Sequence, residues 1–335
     1  MLLITRQPPR ASTRSIGYPS EALGVAAIGL AGAVGFVAFP DDLAFLTRLI
    51  AMALFVLSLD LVVGYCGIAT LGHAVLFGAG AYAAGISCVH GLTNPIALLF
   101  VGAFAGVLMG IVSGSLIANF SGLPQLVLSI ALVQLMNAVA NKASGITGGS
   151  DGLPGIVTEP VLGLFQFDLY GRTAYVFALL VLMVTFAVLQ RIVKSPFGFL
   201  CQGIKEDPIR VYSLGANVRP ALLRMYGISG AVAGLAGALA AITTGVVGLD
   251  SISFERSAEA LVMLVLGGAG SLYGALIGTL VFQFFEHYVS AANPFHWLIF
   301  IGTLLIAVVL FLPNGLQGLG GLLRRLRGFR RAGGL

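Results

Sequence analysis

The sequence predicts an all-α polytopic membrane protein, a transmembrane bundle of about ten membrane elements with broken helices. Three observations carry that prediction. Of 335 residues, 58% are hydrophobic and 9% are charged, against roughly 25% charged in a soluble domain. The apolar residues fall in runs long enough to cross a bilayer at about 20 residues each. Finally, 18 Lys and Arg against 13 Asp and Glu leave a net charge of +5, which in a membrane protein marks cytoplasmic loops and not a nucleic-acid surface. The mean hydropathy of +1.00 excludes an ordinary soluble enzyme. Cys66 and Cys88 lie in apolar stretches and Cys201 in a basic loop, a pattern with neither a disulfide framework nor metal-ligand spacing.

Residues 1–21 form a cytoplasmic N-terminal segment, carrying Arg6, Arg10 and Arg14 ahead of an apolar run at 22–40. These are the flanks of a start-transfer helix. Many spans follow and no A-x-A site trails the run, so it reads as the first crossing and not as a cleaved signal. Further spans at 43–63, 64–89, 95–118, 124–140 and 173–190 return the chain inside after six crossings. The segment 191–224 agrees, with six basic residues, Arg191, Lys194, Lys205, Arg210, Arg219 and Arg224, against Glu206 and Asp207. By the same parity, residues 142–172 form an outer loop bearing Asp151, Glu159 and Asp168.

A seventh span at 225–247 leaves Asp250, Glu255 and Arg256 outside, whereas the tail at 319–335, with Arg324, Arg325, Arg327, Arg330 and Arg331, belongs inside. Only two apolar runs remain, 259–288 and 295–312, and an odd number is required. Splitting the first at Gly267, Gly268, Gly270 and Gly274 supplies the third element, because glycine clusters break helices where protein or a water-filled cavity surrounds them. The membrane domain then spans 22–318.

Glycines at 102, 106, 110 and 114, at 230 and 234, and at 274 and 278 recur every four positions, which lets helix backbones approach closely. In GYCGIATLGHAVLFGAGAYAAG, residues 64–85, the glycines lack that regularity and surround His73. A second broken helix is expected there, and two breaks in two halves suggest a transport pathway with backbone groups free for a polar solute. The candidates to line it are Gly67, Thr70, His73, Gln134, Asn137, Gly267 and Gly268. His73 reads equally as a pathway residue or as a buried imidazole bonded to a neighbouring helix. Gln134, Asn137 and Asn141 share one helix face and either line a cavity or join helices. Asp60 reads as an anchor at the inner interface, and Glu259 and Glu286 as solvated outer helix ends. In 195–225, Pro208 suits a first helical turn and Gly215 a stop, so residues 208–214 read either as a short amphipathic helix that docks a cytosolic surface or as part of an ordinary basic loop. There is no Walker A motif and no Gly-Lys pair, so the chain has no loop of its own for ATP phosphates. No catalytic residue, metal site or bound cofactor is expected.

Three blocks resemble the permease subunits of bacterial leucine, isoleucine and valine ABC importers, and in particular the larger of the two. They are GYCGIATLGHAVLFGAGAY at 64–82, TGGSDGLPGI at 147–156, and the run from KSPFG through SLGANV and AGLAGALAA to LVMLVLGGAGSLYGALIG, ending at Gly278. The family commonly has Gln-x-Ser before Leu-Gly-His; here Ile68 and Thr70 stand in those places, keeping the hydroxyl and losing the amide. The resemblance implies the ABC importer permease fold. It implies that 194–222 is a cytoplasmic coupling loop in which Lys205, Glu206, Asp207, Arg210, Leu214 and Gly215 face an ATPase. Gly148, Gly149, Ser150, Asp151 and Gly152 would lie in the periplasm near a substrate-binding protein. The partners implied are a second, homologous permease in a heterodimer, two ATPase subunits holding ATP and Mg, the binding protein, and the lipid bilayer. The location implied is the bacterial inner membrane with both termini cytoplasmic. The solute implied is a branched-chain amino acid, with urea, short amides or other amino acids as alternatives on the same plan. A gradient-driven transporter or channel is the rival from another class.

Overall fold

The computed structural model describes residues 21–161, 165, 171–292 and the single positions 299, 302, 303, 306, 315 and 316. Nearly all of the expected N-terminal segment, the span at 295–312, the basic tail and part of the 142–172 loop therefore lie outside the described residues.

The described chain is helical throughout. The order is α1 (Glu21–Ala38), α2 (Leu43–Asp60), a π-helical turn (Leu61–Tyr65), α3 (Ala74–Val89), α4 (Pro95–Ile117), α5 (Leu123–Lys142) and a short α6 (Ser144–Thr147). Then follow α7 (Arg172–Lys194), α8 (Pro196–Glu206), α9 (Pro208–Ser213), α10 (Val218–Thr244), α11 (Phe254–Gly267) and α12 (Leu272–Ala292). Among the described residues, five helices are long and apolar enough to cross a membrane: α2 with its π turn, α4, α5, α7 and α10. The fold is the expected all-α polytopic one.

Both expected breaks occur. Helix α3 has 16 residues, about 24 Å at 1.5 Å per residue, short of a hydrocarbon core of about 30 Å. The irregular segment 66–73 leads into it from the π turn. In the second half α11 and α12 meet at 114° across residues 268–271. Gly274 lies inside α12 and not in the break, against the backbone of Gly267 and Gly268.

Helices α2 and α10 form the centre. Almost every side chain of α2 is buried, and α10 packs against α2, α3 and α4. The glycine rows explain how. A Cβ at Gly106 would strike the carbonyl of Gly230, one at Gly234 the carbonyl of Gly102, and one at Gly237 the carbonyl of Phe77. The backbones are in contact, so close packing is what these rows provide.

Two sequence boundaries move. Helix α10 begins at Val218 and not near 225, because Asn217 ends the preceding loop in extended backbone and the basic Arg219 and Arg224 stay exposed within the helix. The eleven residues of α8 are a helix where a loop was expected. Ser195 Oγ accepts from the Gly198 amide at 3.3 Å, and Pro196 occupies the first turn.

Candidate functional site

The first break is held by side chains from remote helices. Its amides are satisfied one by one: Leu71 N–H donates to Ser129 Oγ of α5 at 3.0 Å, Gly72 N–H to Thr70 Oγ1 at 3.1 Å, and Ala74 N–H to Ser257 Oγ of α11 at 2.9 Å. His73 is buried at 1% exposure between α2, α3 and α10. Its Nε2 lies 2.9 Å from Ser58 Oγ and 3.2 Å from Ser229 Oγ, and its ring stacks on Phe55. That is the geometry of an imidazole joining three helices.

Asp60 departs from the sequence reading. It is fully buried, so it does not reach the interface as an anchor. Instead Asp60 Oδ1 accepts from the Gly270 amide at 2.7 Å, spanning 210 residues to the second break. Lys205, at the end of α8, donates from Nζ to the Gly64 carbonyl at 2.6 Å. Its stem lies over Gly67, whose φ of +72° and lack of Cβ make room for it. The two broken helices thus touch at Gly64 and Gly270, and Lys205 and Asp60 clamp them there. Charge-assisted hydrogen bonds contribute about 1.5–3 kcal/mol, and less for the Lys205 bond, because Lys205 is exposed to solvent.

The residues with which the resemblance would face an ATPase divide into two groups. Lys205, itself exposed, sets its ammonium against the Gly64 carbonyl. Asp207 caps α9, its Oδ1 accepting from Ile209 N–H at 3.1 Å and Arg210 N–H at 3.0 Å, and Gly215 ends the turn at φ +90°. Glu206, Arg210 and Leu214 are exposed. Beside them stand two side chains missed in the sequence, Ile209 at 76% and Tyr212 at 69% exposure. The signal was present: a six-residue helix cannot bury apolar residues on every side.

At the opposite end the TGGSDGLPGI loop folds into a tight turn, with positive φ at Gly148, Gly149 and Gly152. Leu153 pairs with Val247 as an antiparallel bridge, which ties the loop to the turn after α10. Residues 148–152 also spell Gly-x-Ser-x-Gly, a string that the sequence reading took to be absent when it expected no catalytic residue. Ser150 lies in an exposed 3-10 turn with its hydroxyl 3.4 Å from Asp151 Oδ1, not on a strand-to-helix elbow.

The amide stripe of α5 divides as well. Asn137 Nδ2 donates to the Leu249 and Ile252 carbonyls at 3.1 and 3.0 Å, joining helices, whereas Gln134 and Asn141 are exposed. Gly267 and Gly268 lie at the α11–α12 bend, where Gly268 has φ +106° and the backbone of Gly315 approaches. Glu259 and Glu286, read as solvated ends, are partly buried in a charged cluster with Arg256.

Residues 43–309 match the family described as "Branched-chain amino acid transport system / permease component". This chain belongs to that permease family. The chain is 26% identical to the high-affinity branched-chain amino acid transport system permease protein LivM of Escherichia coli, over 78% of this chain and 66% of that protein. A probable branched-chain amino acid transport permease LivM of Methanocaldococcus jannaschii is 25% identical, over 78% of this chain and 88% of the relative. The E. coli permease protein LivH is 33% identical over a shorter stretch, 37% of this chain and 40% of that protein. The match thus covers just under two thirds of the E. coli LivM. No solved structure matches this permease. Its relatives are permease components, in keeping with a chain that has apolar spans and no phosphate loop of its own.

Proposed function

We infer that this permease is a transmembrane subunit of an ATP-driven importer for branched-chain amino acids, in the bacterial inner membrane with both termini in the cytoplasm. It pairs with a second, homologous permease in a heterodimer. Two cytoplasmic ATPases, which hold ATP and Mg, dock on its α8–α9 surface, and a periplasmic protein delivers the solute near residues 148–152. The supporting observation is the two-sided build of that surface. Ile209, Arg210, Tyr212 and Leu214, in and just after α9, are exposed, while Lys205 at the end of the adjoining α8 reaches the junction of both broken helices.

In this mechanism closure of the ATPases moves α9, and α8 transmits the motion through Lys205 to Gly64 and, past it, to Gly270. Glycine breaks bend at low cost, so the shift becomes a change in tilt of α2, α3 and α12. The work enters from outside this chain.

A pull-down of the tagged permease from detergent-solubilised membranes, with mass spectrometry and an ATPase assay, tests this reading. The expected result is co-purification of a second permease and ATPase subunits, with hydrolysis stimulated by a binding protein loaded with leucine, isoleucine or valine. A lone chain that moves solute into liposomes without ATP would overturn it in favour of a gradient-driven transporter.

A further inference from the structure

A cavity of about 360 Å³ lies at the end of the bundle that carries the 148–152 loop, among α2, α3, α10 and the turn at 245–251. One wall is apolar and is built by Met52, Phe77, Ala81, Ala240 and Val247. The lining is also charged, with Arg48, Asp250 and Arg256. Arg256 is already engaged, its Nη2 at 2.8 Å from Asp250 Oδ2 and its Nη1 at 4.0 Å from Glu259 Oε2. Arg48 makes no close ion pair with a described residue. The cavity continues into a smaller one of about 290 Å³ that shares Arg48, Asp250 and Arg256 and adds Glu255, Glu259 and Glu286. Cationic, anionic and aliphatic surfaces thus converge on one space, of a size within the range of small-molecule sites at roughly 300–1,000 Å³.

We propose that this cavity is a transit site for an aliphatic α-amino acid in its zwitterionic form. The Arg48 guanidinium receives the carboxylate, Asp250, backed by Glu259 in the adjoining smaller cavity, receives the ammonium, and the branched side chain lies against Met52, Phe77 and Ala240. The chemistry is matched group for group: a guanidinium fork suits a carboxylate, and an apolar wall gains about 0.8 kcal/mol for each methylene it takes from water. The larger groove between α4, α7 and α10, about 870 Å³, does not compete for this ligand, because Arg224 is the single charged residue of an otherwise almost wholly apolar lining. The proposal rests on the importer reading and names where this chain would meet the solute.

The test is scintillation-proximity binding of tritiated L-leucine to the purified permease–ATPase complex in nanodiscs, without binding protein. Competitors are leucinamide, which lacks the carboxylate, isocaproate, which lacks the ammonium, and glycine, which lacks the side chain. Saturable leucine binding is expected, with each competitor at least about tenfold weaker than leucine. Arg48→Gln should erase the preference for leucine over leucinamide, and Ala240→Phe should weaken leucine at least tenfold while the ATPases still co-purify. Absence of saturable binding, or unchanged binding and discrimination in both variants, overturns the site. If the complex still imports leucine with its binding protein in that case, the importer reading stands alone. If the wild-type chain neither recruits ATPases nor imports, both fall together.

Discussion

Lys205 and Asp60 show how much a residue's role depends on partners remote in sequence. The lysine bonds a carbonyl 141 positions away and the aspartate an amide 210 positions away. Both act on one junction, the Lys205 ammonium lying near the Gly270 backbone that Asp60 holds. Lys205→Met should therefore cut uptake about tenfold or more, because it leaves the Asp60 carboxylate buried without its cation. Adding Asp60→Asn, whose side-chain oxygen still accepts from Gly270, should restore a large part of the rate. A double-mutant cycle of leucine uptake measures this; strict additivity of the two losses would refute the clamp. His73 makes a milder case. It joins three helices, so His73→Ala should lower the thermal midpoint of the solubilised permease by several degrees, read by differential scanning fluorimetry.

At the scale of elements, the glycine rows and the short helix α9 carry opposite kinds of information. The four-residue spacing announced close helix contact, and it could do so because a helix repeats every 3.6 residues whatever surrounds it. Gly106→Val puts a branched side chain where the Gly230 carbonyl lies. Assembly should fail, with little folded permease recovered by size-exclusion chromatography from membranes, since backbone on both sides leaves nowhere to move. Helix α9 was legible through Pro208 and Gly215, yet α8 was not, because its capping serine precedes a Pro-Phe-Gly string that reads as a turn. The exposed face of α9 yields a separable prediction. Arg210→Glu with Leu214→Asp should abolish ATPase co-purification and leave the melting temperature of the permease within a few degrees, because both side chains are exposed. A fall in co-purification that tracks a fall in stability would point to misfolding instead.

For the whole molecule, the arrangement of ends is the central matter. The turn at 148–152 and the charged cavity share one end of the bundle, and α8 and α9 lie with the Lys205 junction. The proposed topology, with the basic segment at 191–224 inside, puts residues 148–152 on the periplasmic side. Cysteine labelling checks the sidedness directly, since the native Cys66, Cys88 and Cys201 are buried. Ser150→Cys should react with a membrane-impermeant maleimide in intact spheroplasts, and Ser213→Cys only after the membrane is permeabilised. The reverse pattern would invert the topology and, with it, the roles assigned to the two ends.

Hydropathy, charge and glycine spacing by themselves determined that the chain crosses a membrane many times, where its helices run, and that two of them break. Each of these is a local property: about 20 apolar residues must cover a bilayer, and a glycine cluster weakens a helix without help from neighbours. Local patterns also let residues 64–82 and 194–278 be recognised as those of a permease. What fills the breaks was decided by the tertiary structure alone. Asp60 looked like an interfacial anchor and is buried against Gly270; Glu259 and Glu286 looked solvated and border a charged cavity. The reason is physical. A carboxylate in an apolar setting is placed by whichever amide or cation can satisfy it, and that partner is brought near by the packing of helices far apart in the chain.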